Sequence, residues 1–350
     1  MRRNALSLGV LIAIAVVIGQ ALLIPLFAAP AANLAPHGLP IAVAGPPQVV
    51  AQIQAAHPGA FEVTAVADAA AADSKIKDRD VYGAILVTAA GPEVHVASAA
   101  SPAVAQLLTQ AASGLGRPAP PTDSPGLGSD MAPSTGSPGL GSNVVPVRDV
   151  VPVDPDDPRG AGFGAGFLPL AITSLLAGVL VFLFVPRRGA RLTALVTFAA
   201  LAGLAGAGVL VGWLGVLPGD YFAVAGVLAL FTLAIAGAMT GLAAVVGRQG
   251  LALGAVVLFL VGNALSGIAA APELLPQPWG AVGQWLPIGA GGTLLRSVAY
   301  FGGNGGGFAA TVLGAYAIGG LLLVLIGRRG LAKKTEAAPA AAEPELAAAR

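Results

Sequence analysis

Six apolar runs, each close to the roughly 20 residues a helix needs to cross a bilayer, constrain this chain more than any other feature. They extend over Ala5 to Phe27, Phe163 to Val185, Leu192 to Leu217, Tyr221 to Val246, Leu251 to Ala271 and Phe308 to Ile326. Hydrophobic residues make up 56% of the chain and charged residues 10%, against roughly 25% charged in soluble domains. That balance excludes a soluble globular enzyme and a disordered protein. A formal net charge of +1 leaves no nucleic-acid footprint. The 49 glycines follow no Gly-X-Y period, which excludes collagen. Zero cysteines exclude a disulfide framework, a thiol nucleophile and a thiolate metal site. The expected class is an α-helical polytopic membrane protein.

The charges set its orientation. Basic residues gather at Arg2 and Arg3, at Arg187, Arg188 and Arg191, at Arg248, and at Arg328, Arg329, Lys333 and Lys334. These are alternate ends of the six runs, so the excess of positive charge predicts both termini in the cytoplasm of a multi-pass plasma-membrane protein. Residues 1–28 then form an uncleaved anchor. The alternative, a cleaved signal peptide ending near Ala29-Pro30-Ala31, requires an apolar region of about 7–15 residues, shorter than the run seen.

Residues 29–162 are expected outside, with 6 basic and 12 acidic residues. Residues 29–115 read as a small α/β domain, giving a one-plus-five arrangement with the domain between spans one and two. Leu39 to Ala44 and Phe61 to Val66 read as strands, and Val81 to Val87 with Glu93 to Ala97 as a hairpin. Between them lie helices over Pro46 to Ala56 and Asp68 to Lys77 with Asp68 as N-cap, and after the hairpin comes a helix over Ser101 to Ser113 with Pro102 in its first turn. Residues 116–162 form a Pro/Gly/Ser-rich linker and lead-in, in which Ser-Pro-Gly-Leu-Gly-Ser occurs at 124–129 and 137–142. Residues 163–327 form the five-helix membrane domain, and 328–350 a disordered cytoplasmic tail.

The membrane domain carries little chemistry. Between Phe163 and Ile326 the only acids are Asp220 and Glu273, both in expected outer loops. Ion-coupled carriers use ionisable groups inside the membrane, so this argues against one. Asn263 is the intramembrane polar residue of most interest, because an amide there needs a partner. Gly208 and Gly212, Gly237 and Gly241, and Gly250 and Gly254 stand four apart, a spacing for close helix packing. Residues 271–307 form an apolar outer segment with Trp279 and Trp285, read as a re-entrant or interfacial hairpin. No P-loop occurs, and His37, His57 and His95 lack metal-ligand spacing. No serine or aspartate has a convincing catalytic partner, so neither an enzyme, a metal nor a resident cofactor is expected.

Three groups carry a resemblance. They are Asp78-Arg79-Asp80-Val81-Tyr82-Gly83-Ala84, followed by Val96-Ala97-Ser98-Ala99-Ala100; the lead-in Asp154 to Gly160; and Trp285-Leu286-Pro287-Ile288-Gly289 with Leu295-Arg296 and Tyr300-Phe301. With the one-plus-five topology, the chain resembles permeases of type-2 ABC exporters, in the phage-infection-protein-like branch of actinobacteria. The resemblance implies a homodimeric membrane subunit that pairs with a separate ATPase, which alone would use ATP, and exports a substrate. It also implies an outer gate of Trp285, Pro287, Arg296, Tyr300 and Phe301, and an ATPase-facing group of Arg187, Arg188 and Arg191. An uncharged apolar bundle suits amphipathic or lipid-like cargo. Such permeases generally offer the motor an amphipathic N-terminal helix and a longer cytoplasmic loop, whereas here only Met1 to Asn4 and Pro186 to Arg191 stand in those places. A scaffold or receptor presenting the outer domain is the alternative. A resistance-nodulation-division half-pump would need the missing intramembrane acids.

Overall fold

The computed structural model describes residues 2–88, 91–115, 145–155, 157 and 160–327. Both hexapeptides of the linker, and the tail with Arg328, Arg329, Lys333 and Lys334, lie outside the described residues.

Helix α1 (Arg2–Ala32) leads into a domain in which β1 (Leu39–Ala44), α2 (Pro47–Ala56), β2 (Phe61–Ala65), α3 (Ala69–Lys77), β3 (Gly83–Thr88), β4 (Gly91–Val96), α4 (Pro102–Leu115) and β5 (Val147–Asp149) follow in order. The sheet order is β2-β1-β3-β4-β5. β1 pairs in parallel with β2 and β3, β3 and β4 form an antiparallel hairpin, and β4 pairs in parallel with β5. Alternation along β1 divides its side chains between two cores. Leu39, Ile41 and Val43 pack with Ile53 of α2 and with Val104 and Leu108 of α4. Ala42 and Ala44 meet Ala72 and Ile76 of α3 on the other face. Asp68 caps α3 by accepting from Ala71 N at 2.8 Å, as expected. β5 shows that the lead-in after the linker is part of the sheet, with Val150 N donating to Val96 O at 2.8 Å.

Four helices are long and apolar enough to cross a membrane: Ala161–Phe184, Arg188–Trp213, Tyr221–Val246 and Gly307–Ile326. We call the first α5, and the second α6 (Arg188–Ala207) with a π-helical turn over Gly208–Trp213. The third is α7 (Tyr221–Val246). Then come α8 (Arg248–Gly254), a π-helical segment (Ala255–Val261) and α9 (Gly262–Ala264), followed by α10 (Trp279–Gln284), α11 (Pro287–Tyr300) and α12 (Gly307–Ile326). α7 is the most buried of the four long helices and packs against α5, α6, α11 and α12. Glycines permit these approaches: a Cβ on Gly178 of α5 would lie 2.8 Å from Met239 Cβ, and one on Gly203 of α6 2.8 Å from Ala229 Cβ.

The expected run Leu251 to Ala271 is helical only as far as Ala264; the helical stretch Arg248–Ala264 has 17 residues. At about 1.5 Å per residue that is roughly 25 Å, short of the roughly 30 Å hydrocarbon core. Gly267 adopts φ +65, and Ser266 Oγ donates to Asn263 O at 2.9 Å while accepting from Ile268 N, which turns the chain. α1 meets the rest of the described chain near its C-terminal end, and Val17, Ile18, Leu22 and Ile24 are exposed.

Asp157 fixes the entry to α5. It is buried and accepts from Ala161 N (2.9 Å), Gly162 N (2.7 Å) and Phe163 N (3.3 Å). These are N–H groups that the first turn of a helix leaves without partners. Asp157→Ala is expected to cost about 2 kcal/mol, read as a lower melting temperature in detergent; Asp157→Asn should recover part of it. A parent-like melt for Asp157→Ala would refute this capping role.

Candidate functional site

The polar chemistry concentrates where the α/β domain meets the turns between α9 and α12. α3 ends at Lys77, and Arg79 takes φ +64, the one non-glycine residue with positive φ among those described. That left-handed turn carries its side chain toward α11. Arg79 Nη1 donates to Thr293 O at 3.1 Å and to Ser297 Oγ, and the guanidinium stacks 5.3 Å from the centre of Phe301. A Cβ on Gly305 would come 3.0 Å from Arg79 Cβ, so a small residue there makes room for the arginine stem. Burial lowers the Arg79 pKa, and Tyr82 and Glu273 oppose that shift.

Tyr82 completes the joint by donating its hydroxyl to Glu273 Oε2 at 2.7 Å. Burial first, and then the charge of Glu273, push the phenol above its ordinary range, so it stays protonated and donates. The backbone also takes part: Ala35 N donates to Leu274 O and His37 N to Glu273 O, while Asn304 Nδ2 reaches Lys77 O at 3.2 Å. Apolar groups close both sides. Ala270, Ala271 and Leu274 join one core of the sheet, and Phe301 joins the other. Between them lies a cavity of about 210 Å³, lined among others by Arg79, Tyr82, Glu273, Gln284, Thr293 and Phe308. Gly83 begins β3 without space for a side chain, since a Cβ would stand 2.6 Å from Leu108 Cδ1 and 2.7 Å from His95 O.

The five residues expected as a gate take different positions. Arg296 is buried, donates to Ile268 O at 3.1 Å and stacks 4.4 Å from the centre of Phe163. Tyr300 reaches Val216 O at 3.4 Å, and Phe301 lies beneath Arg79. Pro287 opens α11 and is buried. Trp285 is 62% exposed and meets Phe308 edge-on at 4.9 Å. Pro287, Arg296 and Phe301 are therefore buried in packing, Tyr300 is half-buried, and Trp285 is exposed beside Phe308. Arg79 and Tyr82 belong to the segment Asp78 to Ala84, to which the sequence assigns no site role, and Glu273 reads from sequence only as a loop acid. Glu273 carries a signal as one of the two acids between Phe163 and Ile326, whereas Arg79 stands in the charged run Asp73 to Asp80, where nothing in the sequence singles it out.

At the opposite ends of the helices, Arg191 is buried, donating from Nε to Val185 O at 2.6 Å and from Nη2 to Phe182 O at 3.0 Å. It satisfies carbonyls that the end of α5 leaves open. Arg188 Nη1 donates to Leu325 O at 2.6 Å, binding α6 to α12. Arg187 is exposed and makes no side-chain cap. Asn263 is half-buried beside a crevice of about 260 Å³ shared with Phe27, Pro30 and Ser266. In the α/β domain, His95 is buried with Nδ1 2.5 Å from Asp73 and Nε2 3.1 Å from Glu93, and no metal-holding group of His, Asp and Glu is found among the described residues.

No protein-family model, curated protein or solved structure matches this chain.

Proposed function

We propose that the chain is the membrane permease subunit of an ABC-type exporter, moving an amphipathic or lipid-like substrate outward with a separate ATPase. In this reading the arginine-bearing helix ends face the cytoplasm, the α/β domain lies outside, and six spans are completed by α1 and by the Arg248–Ala264 helix, whose shortfall is made up by the irregular, largely buried residues 265–271. The exposed apolar side of α1, together with Ile318 and Leu322 of α12, is the surface for lipid or a second copy.

The observation that carries the reading is the α10–α11 hairpin. It packs against α7 at the centre of the bundle and is tied through Thr293 and Ser297 to Arg79 of the α/β domain. A rearrangement of the long helices would thus pass to the outer domain through one packed piece, the arrangement an outer gate requires. One observation favours a scaffold or receptor instead: Arg188 and Arg191 are occupied by helix-end carbonyls, so two of the three arginines expected to face a motor are engaged within the chain, and Arg187 is the exposed one of the three.

The test is purification from the native host in mild detergent. A stoichiometric P-loop ATPase with nucleotide turnover is the expected result; envelope proteins without turnover would move the assignment to the receptor. Arg187→Glu should release the ATPase at an unchanged melting temperature. Arg191→Ala should instead lower that temperature, because it uncovers the end of α5. Retention of the ATPase by Arg187→Glu would remove this arginine from the contact.

A further inference from the structure

Two opposite charges face the cavity of the joint without pairing. The ion pairs among the described residues are Lys75–Asp80, His95–Asp73, His95–Glu93 and Arg148–Asp73, so Arg79 and Glu273 stand more than 4.0 Å apart. Both line the same cavity, and each keeps bonding capacity toward it. Arg79 uses Nη1 on Thr293 and Ser297, which leaves Nε and Nη2 without a hydrogen-bond partner among the described residues. Glu273 uses Oε2 on Tyr82, which leaves Oε1.

The other polar groups of the wall are already paired. Thr293 Oγ1 donates to Gln284 Oε1 at 2.7 Å, Gln284 Nε2 donates to Ser266 O at 3.0 Å, and Asp80 holds Lys75 at 2.8 Å. Opposite charges attract strongly across a partly desolvated gap, so one held open this way is suited to something polar that spans it. The complement is an anion for Arg79 and an ammonium for Glu273 on one short carbon chain. The rim adds a second requirement. Phe308 lines the cavity and is 50% exposed, and Trp285 stacks edge-on against it, which makes an apolar lip beside a charged interior.

We infer that this cavity binds the zwitterionic headgroup of an amphipathic molecule, phosphate against Arg79 and primary ammonium against Glu273, with its apolar tail over Trp285 and Phe308. The inference deepens the exporter reading by naming the headgroup, and rests on that reading for placing the lip at the outer face of the membrane. Its test is binding alone.

The full chain is purified in mild detergent and offered phosphatidylethanolamine and phosphatidylglycerol of matched chains, and retained lipid is measured by native mass spectrometry. Phosphatidylethanolamine should be retained at least about tenfold over phosphatidylglycerol, the effect of one charge-assisted contact. Glu273→Gln still offers Tyr82 an acceptor and should hold its melting temperature while losing that preference; Arg79→Gln should lose retention of both lipids. Free phosphoethanolamine is the second arm. If it raises the melting temperature and displaces the lipid, the soluble compound is a sufficient ligand; if only the lipid binds, the membrane is the source. Equal retention of both lipids by the parent, or an unchanged preference in Glu273→Gln, overturns the inference and leaves water as the filling of the gap. A chain with the expected preference but no ATPase partner keeps the inference and loses the exporter reading.

Discussion

Gly320→Val is expected to prevent native assembly of the bundle, while Gly319→Val, one residue earlier on the same helix, leaves it intact. A Cβ on Gly320 would overlap the backbone of Gly237 and Ala238 in α7, with Gly237 O at 2.7 Å. A backbone obstacle cannot rotate aside as a side chain does, so α7 and α12 would have to separate. Overfilling a packed core usually costs about 1–3 kcal/mol, and this site is expected at or beyond the upper end. α7 also carries the contacts to α5, α6 and α11, so its displacement spreads through the bundle. Gly319 has nothing within 4 Å of its Cβ position and lines an apolar crevice with Leu242, Leu258 and Tyr316. Valine there removes part of the roughly 1 kcal/mol helix penalty of glycine. Fluorescence-detected size exclusion after a heating series would compare the two. A parent-like melt for Gly320→Val would refute the close crossing of α7 and α12.

Arg296→Ala is expected to lower stability by about 2–4 kcal/mol, an effect on packing that precedes any effect on transport. Its guanidinium fills the space above Phe163 and supplies the hydrogen bond to Ile268 O, in a place where no acid pairs with it among the described residues. Truncation leaves a void and an unsatisfied carbonyl. Arg296→Met keeps an unbranched chain over the ring and removes the desolvated charge, so its melting temperature should stay close to the parent's. Export lost in Arg296→Ala but kept in Arg296→Met would make the residue a packing element of the hairpin. Export lost in both, at a parent-like melt for Arg296→Met, would assign the charge itself to the gate. Parent-like melts for both variants would refute the packing argument.

Much of the fold was legible locally. The β3–β4 hairpin, the Asp68 cap and the Pro102 helix start depend on neighbouring residues, and each occurs near the expected position. The four long helices follow from apolar length. Legibility failed where local and distant preferences compete. Composition extends the fifth run to Ala271, yet Ser266 and Gly267 end the helix after Ala264 so that Ala270, Ala271 and Leu274 can join the core of the α/β domain. The expected gate also mixed two kinds of residue, since Trp285 is exposed while Arg296 and Phe301 are buried. Of the three glycine pairs spaced by four, Gly241 and Gly250 meet neighbouring backbone closely, whereas Gly212 meets nothing within 4 Å.

By itself, then, the sequence determined that the chain is built of apolar runs suited to a membrane with a small sheet between the first and second, because apolar length and alternation act over a few turns or residues. That four of the six runs are helices of membrane length among the described residues came from the structure. Only the tertiary structure decided which polar side chains meet. Tyr82 and Glu273 are 191 residues apart, and Arg79 and Ser297 are 218 apart. Their meeting depends on a left-handed turn after α3 and on how α11 packs against α7. Local pattern carries no record of either, since both follow from the mutual fit of elements that are remote in the chain.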